Sequence, residues 1–142
     1  MDFSAPVSSV MSSNLKTAGP EDEITLLDTL FKHHRIHHVP VVEGQKIVGI
    51  VSKSDFLYFI RGFTNNDVDR FIETARMRAF KVQEIMVRNV ETIRSDETVK
   101  KAITILAENR FRCLPVIDAE ENLVGIITTH DIIDLVKEEA SK

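Results

Sequence analysis

One unit is written twice in this chain, and that repetition constrains the fold more than any other feature. Near the end, Leu123-Val124-Gly125-Ile126-Ile127-Thr128-Thr129-His130-Asp131 runs into Ile132-Ile133-Asp134-Leu135-Val136. Earlier, Ile47-Val48-Gly49-Ile50-Val51-Ser52-Lys53-Ser54-Asp55 runs into Phe56-Leu57-Tyr58-Phe59-Ile60. Each predicts a buried strand, a sharp change of direction and a short apolar helix. A compact β-branched run suits such a strand, and a hydroxyl followed three residues on by an acid has the spacing of a helix capping box. The glycine inside each run predicts that another backbone or a ligand comes close to the strand.

The repetition extends outward. Val7-Ser8-Ser9-Val10-Met11 is echoed by Val82-Gln83-Glu84-Ile85-Met86, and Thr17 by Thr92. A helix is predicted next in each copy. Ile24, Leu27 and Phe31 share one face behind Pro20 and an acidic first turn of Glu21, Asp22 and Glu23, which suits the positive end of a helix dipole. Val99, Ala102, Ile103 and Leu106 do the same behind the start signals Ser95 and Thr98. Then Arg35-Ile36-His37-His38-Val39-Pro40-Val41-Val42 matches Arg110-Phe111-Arg112-Cys113-Leu114-Pro115-Val116-Ile117. A proline among β-formers predicts a sheet edge or the mouth of a strand. Turns at Glu43–Lys46 and Asp118–Asn122 close a hairpin in each copy, the second turn one residue longer.

Each copy therefore reads strand–helix–strand–strand–helix, an α+β arrangement, with repeats over 1–61 and 82–142 and a helical linker over 62–81. The linker opens with a break from Gly62 to Asn66. Asn66 could cap a helix whose stripe of Val68, Phe71, Ile72, Ala75 and Ala79 predicts packing, across the pair or against a partner subunit. The tail from Lys137 to Lys142 is polar and expected to fray.

Totals narrow the function classes. At 142 residues, 43% of them hydrophobic, the chain fits one domain or two small halves sharing a core. Half of it alone would bury only about 60% of its unfolded surface. A net charge of −4 gives no support to nucleic-acid binding by bulk attraction. The single cysteine, Cys113, excludes an internal disulfide and fits a reducing cytosol. There is no basic and apolar leader pattern, and no apolar run near the ~18 residues that a membrane span needs. A cytoplasmic protein with neither a membrane nor a nucleic-acid partner is expected.

No catalytic constellation stands out, neither Gly-x-Ser-x-Gly nor Gly-x-x-x-x-Gly-Lys, and Cys113 falls in a predicted strand beside Leu114 and Pro115. The expectation is a protein that is not an enzyme. His33-His34-Arg35-Ile36-His37-His38 would offer i, i+4 histidine pairs on a continuous helix, as zinc sites do. The helix is expected to end before His37, and the second copy has Asn109, Arg112 and Cys113 at the matching places, so no metal site is predicted.

Taken together, Met11 and Met86, the His38-Val39-Pro40-Val41 and Cys113-Leu114-Pro115-Val116 stretches, and the glycine-led segments ending in Ser52-x-x-Asp55 and Thr128-x-x-Asp131 resemble the tandem cystathionine-β-synthase (CBS) domain pair over Val7 to Val136. The resemblance implies two pseudo-two-fold-related β-α-β-β-α repeats packed through their sheets, with two symmetry-related clefts. Such clefts take adenosyl ligands: AMP, ADP or ATP, and in some relatives S-adenosylmethionine or NAD. It also implies a homodimer that regulates another protein. A constitutive dimerisation or scaffold module with empty clefts is the alternative.

Residue by residue, Asp55 and Asp131 resemble the family's ribose-binding acids, and a carboxylate, which only accepts hydrogen bonds, suits a diol. Ser52 and Thr128, with the helix starts behind them, could hold phosphate. A plain capping box explains the same spacing unaided, and the two roles are compatible. Thr17 and Thr92 match a ligand-touching position near the first strand, where a β-branched residue opening a strand is the simpler reading. His38 and Cys113 match a position beside the adenine pocket where backbone atoms carry the contact. Lys53 and His130 match a position inside the Ser/Thr-x-x-Asp loop that faces phosphate in some relatives, against solvent exposure as the default.

Overall fold

The structure is a computed structural model and describes residues 2–61, 70–109 and 112–142. The expected break from Gly62, the Asn66 cap, Val68 of the stripe, and Arg110 and Phe111 before the second hairpin lie outside the described residues. In chain order the elements are a 3-10 turn (Val7–Ser9), α1 (Ile24–His33), β1 (His38–Glu43), β2 (Lys46–Ser52), α2 (Lys53–Arg61), α3 (Arg70–Ala79), a second 3-10 turn (Val82–Glu84), β3 (Ile93–Arg94), α4 (Val99–Asn109), β4 (Cys113–Ile117), β5 (Leu123–Thr128) and α5 (Thr129–Ala140). This is the α+β class expected from the repeats.

The chain forms two compact units: a central one, Lys16–Val90, and a terminal one, Met1–Leu15 with Glu91–Lys142. These packing units do not coincide with repeats at 1–61 and 82–142. The opening residues pack with the second repeat, and the segment around Val82–Met86 packs with the first. Backbone bonds explain the assignment. In the terminal unit Val7 N–H donates to Glu97 O at 2.7 Å and Val99 N–H to Ala5 O at 2.9 Å. In the central unit Val82 N–H donates to Asp22 O and Gln83 N–H to Pro20 O, both at 2.9 Å.

Within the central unit, β1 and β2 pair antiparallel, His38 opposite Ser52 and Val41 opposite Gly49. Gly44 turns the hairpin at φ +62°, a conformation that costs glycine little. The leading strand expected near Thr17 is reduced to one parallel bridge, Ala18 to Val41. Helix α1 buries Ile24, Leu27 and Phe31, the face read from the sequence. The Phe31 ring tilts against Phe56 of α2 with centroids 5.4 Å apart. The expected acidic first turn is not part of α1: Glu23 stands at the N-cap position, and Asp22 folds back to accept the Gly19 N–H at 2.6 Å.

The terminal unit has the order β3-β4-β5, with β3 parallel to β4 (Ile93 opposite Val116) and β4 antiparallel to β5 (Cys113 opposite Thr128). Helix α4 begins after Thr98, whose hydroxyl accepts the Lys101 N–H at 3.1 Å, and buries Val99, Ala102 and Leu106. Its Ile103 is half-buried.

Pro115 does not lie at an edge: it stands in the middle strand of the sheet, opposite Ile126. The ladder tolerates it because Ile126 exchanges both backbone bonds with Ser12 on its other side, at 2.9 Å each. Pro115 and Ile126 are thus a pair that needs no N–H from the proline. On the other flank, β3 begins pairing only at Val116. Pro40 repeats the arrangement, since its partner Ile50 exchanges both bonds with Val87.

Helix α3 packs on α1 and α2, but not through the expected stripe. It buries Met77, and its Arg76 guanidinium donates to Ile60 O at 3.1 Å. Phe71 is 84% exposed, and Ile72, Ala75 and Ala79 are exposed as well. Periodicity located an apolar face; the long side chains of Met77 and Arg76, reaching the end of α2, decided which face docks.

The two strand glycines have a common cause. A Cβ on Gly49 would lie 2.8 Å from Met86 Cγ, and one on Gly125 2.9 Å from Met11 Cγ, with each sulfur closer still. The neighbour predicted by the glycines is therefore a methionine side chain, laid flat on the strand. Gly49→Ala overpacks this contact and is expected to destabilise the protein by about 1–3 kcal/mol in urea unfolding. In a Met86→Ala background the same substitution should cost markedly less, because the obstructing atoms are gone. A cost unchanged by Met86→Ala would place the strain elsewhere.

Cys113 opens β4, and burial pushes its thiol up to about 12. In the unfolded chain the thiol ionises near pH 8.5. Above that pH the unfolded state has lost a proton that the folded state keeps, so stability falls as pH rises. Denaturant midpoints are therefore expected to drop between about pH 8.5 and 10, and to drop less in Cys113→Ala. Identical pH profiles for the two proteins would count against a protonated thiol.

Candidate functional site

Each copy gathers its expected site residues at one end of its sheet. In the central unit, His38 begins β1 opposite Ser52, the last residue of β2, and α2 starts at Lys53. Ser52 Oγ accepts the Asp55 N–H at 3.0 Å and lies 3.3 Å from Ser54 Oγ. Lys53 N–H donates to His37 O at 2.8 Å, tying the helix start to the residue before β1. Asp55 points outward on the first turn, exposed, and among the described residues its carboxylate accepts no hydrogen bond. Thr17 is exposed and immediately precedes Ala18, which bridges Val41, so it lies toward the same end as His38 and Ser52.

The terminal unit repeats the pattern with one difference. Cys113 faces Thr128, and Thr129 N–H donates to Arg112 O at 2.9 Å. Thr92 is half-buried beside Ile93, toward that same end of the sheet. Here the capping box closes in both directions. Thr128 Oγ1 accepts the Asp131 N–H at 3.2 Å, while Asp131 Oδ2 accepts the Thr128 N–H at 2.8 Å and its hydroxyl at 3.1 Å. The two copies thus differ in how the cap is closed. Both hydroxyls cap; Asp131 caps as well; Asp55 does not.

Lys53 and His130 are not equivalent. The tie to the pre-strand carbonyl is made by Lys53 in one copy and Thr129 in the other, so the counterpart of Lys53 is Thr129. His130 stands one residue further along, exposed, with Nε2 3.5 Å from Asp134 Oδ2 one turn on. The central site alone carries a lysine at the helix start. Cys113 is held neutral by burial, so it offers shape and backbone atoms rather than a thiolate.

The histidine run does not make a helical pair. Helix α1 stops at His33, His34 is extended (φ −131°, ψ 146°), and His38 is already in β1. Among the described residues, no cluster of three or more His, Cys, Asp or Glu could hold a metal ion. Sequence reasoning missed the structural partners of the site: the His37 and Arg112 carbonyls and the methionines over Gly49 and Gly125. Met11 and Met86 were visible as matched positions, but nothing in the sequence says which strand each one covers.

Comparison with known proteins agrees with this geometry. The chain matches the CBS domain over residues 7–62 and again over 82–138. An inosine-5'-monophosphate dehydrogenase of Thermoplasma acidophilum is 33% identical over 124 residues, covering 87% of this chain and 22% of that protein. The uncharacterized protein MJ1426 of Methanocaldococcus jannaschii is 30% identical over 129 residues, covering 74% of this chain and 76% of that one. The chain therefore spans less than a quarter of the dehydrogenase. Among solved structures, the CBS-pair protein CBSX2 of Arabidopsis thaliana superposes with a TM-score of 0.82 at 22% identity, over 97% of this chain and 98% of that one, a likeness of fold. The CBS domain pair of protein MJ0100, in complex with 5-methylthioadenosine and S-adenosyl-L-methionine, has a TM-score of 0.75 at 26% identity, over 95% and 98%. Two matched repeats take in most of the sequence, in the order and at the positions of the doubled strand–helix unit, and the chain belongs to the CBS domain family as a tandem pair.

Proposed function

We propose that this CBS pair is a regulatory module that binds an adenosine nucleotide, AMP, ADP or ATP, and conveys its level to another protein. The observation that carries the reading is Asp55: a carboxylate on the first turn of α2, beside a capped hydroxyl, whose acceptors nothing else in the described chain uses. A ribose diol supplies two donors for it. Lys53 and the hydroxyls of Ser52 and Ser54 stand beside it for phosphate, while His38 and Thr17 lie at the same sheet end for the base. The adenosyl ligands of the MJ0100 pair support the ligand class. S-adenosylmethionine and NAD are the less favoured ligands, since a helix start with a lysine suits free phosphate better.

The Thr92, Cys113, Thr128, His130 and Asp131 site takes the same ligand class in this reading, with a competitor built in. Asp131 already accepts two hydrogen bonds from Thr128. That closed cap has to open before a ribose can use the same oxygen, so this half is expected to bind more weakly than the Asp55 half. The module is further proposed to act as a homodimer. Ile133 and Val136 of α5 are 61% and 50% exposed, which supports a helix covered in an assembly.

Titration calorimetry with AMP, ADP, ATP, NAD and S-adenosylmethionine tests the reading. Asp55→Ala is expected to abolish binding at one site with little loss of stability, while Asp131→Ala costs about 0.5–2 kcal/mol as a lost cap. Lys53→Ala is expected to weaken AMP about tenfold at the Asp55 site and leave adenosine nearly unchanged, the low end for a hydrogen bond to a charged group. A folded double acid mutant that still binds AMP normally would defeat the ribose assignment. Sedimentation at micromolar concentration is expected to show about twice the monomer mass, within the size range of common two-fold assemblies. A monomer with and without nucleotide would remove the dimer.

A further inference from the structure

The strand that leads into each site is completed by the leading segment of the other repeat. Along the terminal unit, Lys100 N–H donates to Phe3 O at 2.8 Å, and Ser12 exchanges both backbone bonds with Ile126 at 2.9 Å each. Ile126 lies two residues before Thr128, and Met11 lies over Gly125. The central unit mirrors this. Val87 exchanges bonds with Ile50 at 2.9 and 3.0 Å, two residues before Ser52, and Met86 lies over Gly49.

We propose that Met11 and Met86 are positioning residues for the two adenosine sites and that their control is crossed. Met11, in the first repeat's leading segment, holds the Thr128–Asp131 site; Met86, leading the second repeat, holds the Ser52–Asp55 site. The inference rests on reading those acids as ribose acceptors. Its physical basis is short. A glycine strand has no side chain of its own at that point, so the methionine supplies the packing that keeps the strand in place. The hydroxyl that caps the next helix follows three residues on, about 10 Å along the strand at ~3.3 Å per residue. Truncating the methionine leaves a void over the strand and frees the cap to shift. By linkage, ligand at each site holds the crossed segment as much as the segment holds the ligand.

The test uses the full chain and AMP. In an Asp55→Ala background, where the Asp131 site remains, Met11→Ala is expected to weaken AMP about tenfold and Met86→Ala to leave it within about twofold, within the usual span of coupling between sites. In an Asp131→Ala background the two methionines are expected to exchange roles. Met11→Leu and Met86→Leu, which conserve volume, should restore affinity. Hydrogen exchange supplies a readout that needs no ligand: Met11→Ala should speed exchange over 123–131 and spare 46–55, and Met86→Ala the reverse. Equal losses at both sites, losses at the uncrossed site, or no change would overturn the proposal. If the parent protein binds no AMP, the adenosine reading fails by itself, and a crossed or uniform exchange pattern still decides the wiring.

Discussion

The structure depends on two methionines lying on two glycines. A strand with a side chain at position 49 or 125 could not admit Met86 or Met11 at their observed depth, because a Cβ would fall under 3 Å from the methionine side chain. With glycine there, the segments carrying the methionines also bring backbone groups to the outer edges of β2 and β5, where Val87 pairs Ile50 and Ser12 pairs Ile126. Those bonds in turn orient the strands so that Pro40 and Pro115 lose no ladder partner. One close approach therefore accounts for the glycines, the tolerated prolines and the closed edges. It also accounts for the grouping of residues into packing units that cross the repeat boundary.

The same packing positions the functional candidates. Each hairpin brings a strand-opening residue opposite a hydroxyl, and each hydroxyl starts a helix that presents an acid on its first turn. A carbonyl just before the hairpin (His37 or Arg112) receives the first helical N–H and fixes the angle between strand and helix. A backbone built this way can present acceptors and donors to a ligand without moving. What differs between the halves is local. Asp55 is left open beside a lysine, whereas Asp131 is turned back onto its own cap. Two copies of one sentence thus carry unequal chemistry, because the cap already uses Asp131 Oδ2 in one copy and does not use the carboxylate of Asp55 in the other.

The helices show a second inequality. In the central unit α2 is covered by α3 through Met77 and Arg76, and its Phe56 and Ile60 are buried. Among the described residues α5 has no such neighbour, buries no residue fully, and keeps Ile133 and Val136 at the surface. The repeats share a sequence pattern but not a packing environment, so symmetry of sequence overstates symmetry of surface.

The sequence by itself determined the doubled α+β unit, the buried faces of α1 and α4, the two hairpins, the capping hydroxyls and the family. Each of these follows from local rules: periodicity of 2 or 3.6, turn chemistry and cap spacing act over a few residues and leave a direct trace in the chain. Tertiary structure decided the rest. Which strand Met11 and Met86 cover, why Pro115 can stand inside a sheet, and which face of α3 docks on α1 and α2 all depend on partners far away in sequence. The glycines announced that something would come close, but a missing side chain cannot name its visitor. Only the folded chain, with Met11 over Gly125 and Met86 over Gly49, supplies that name.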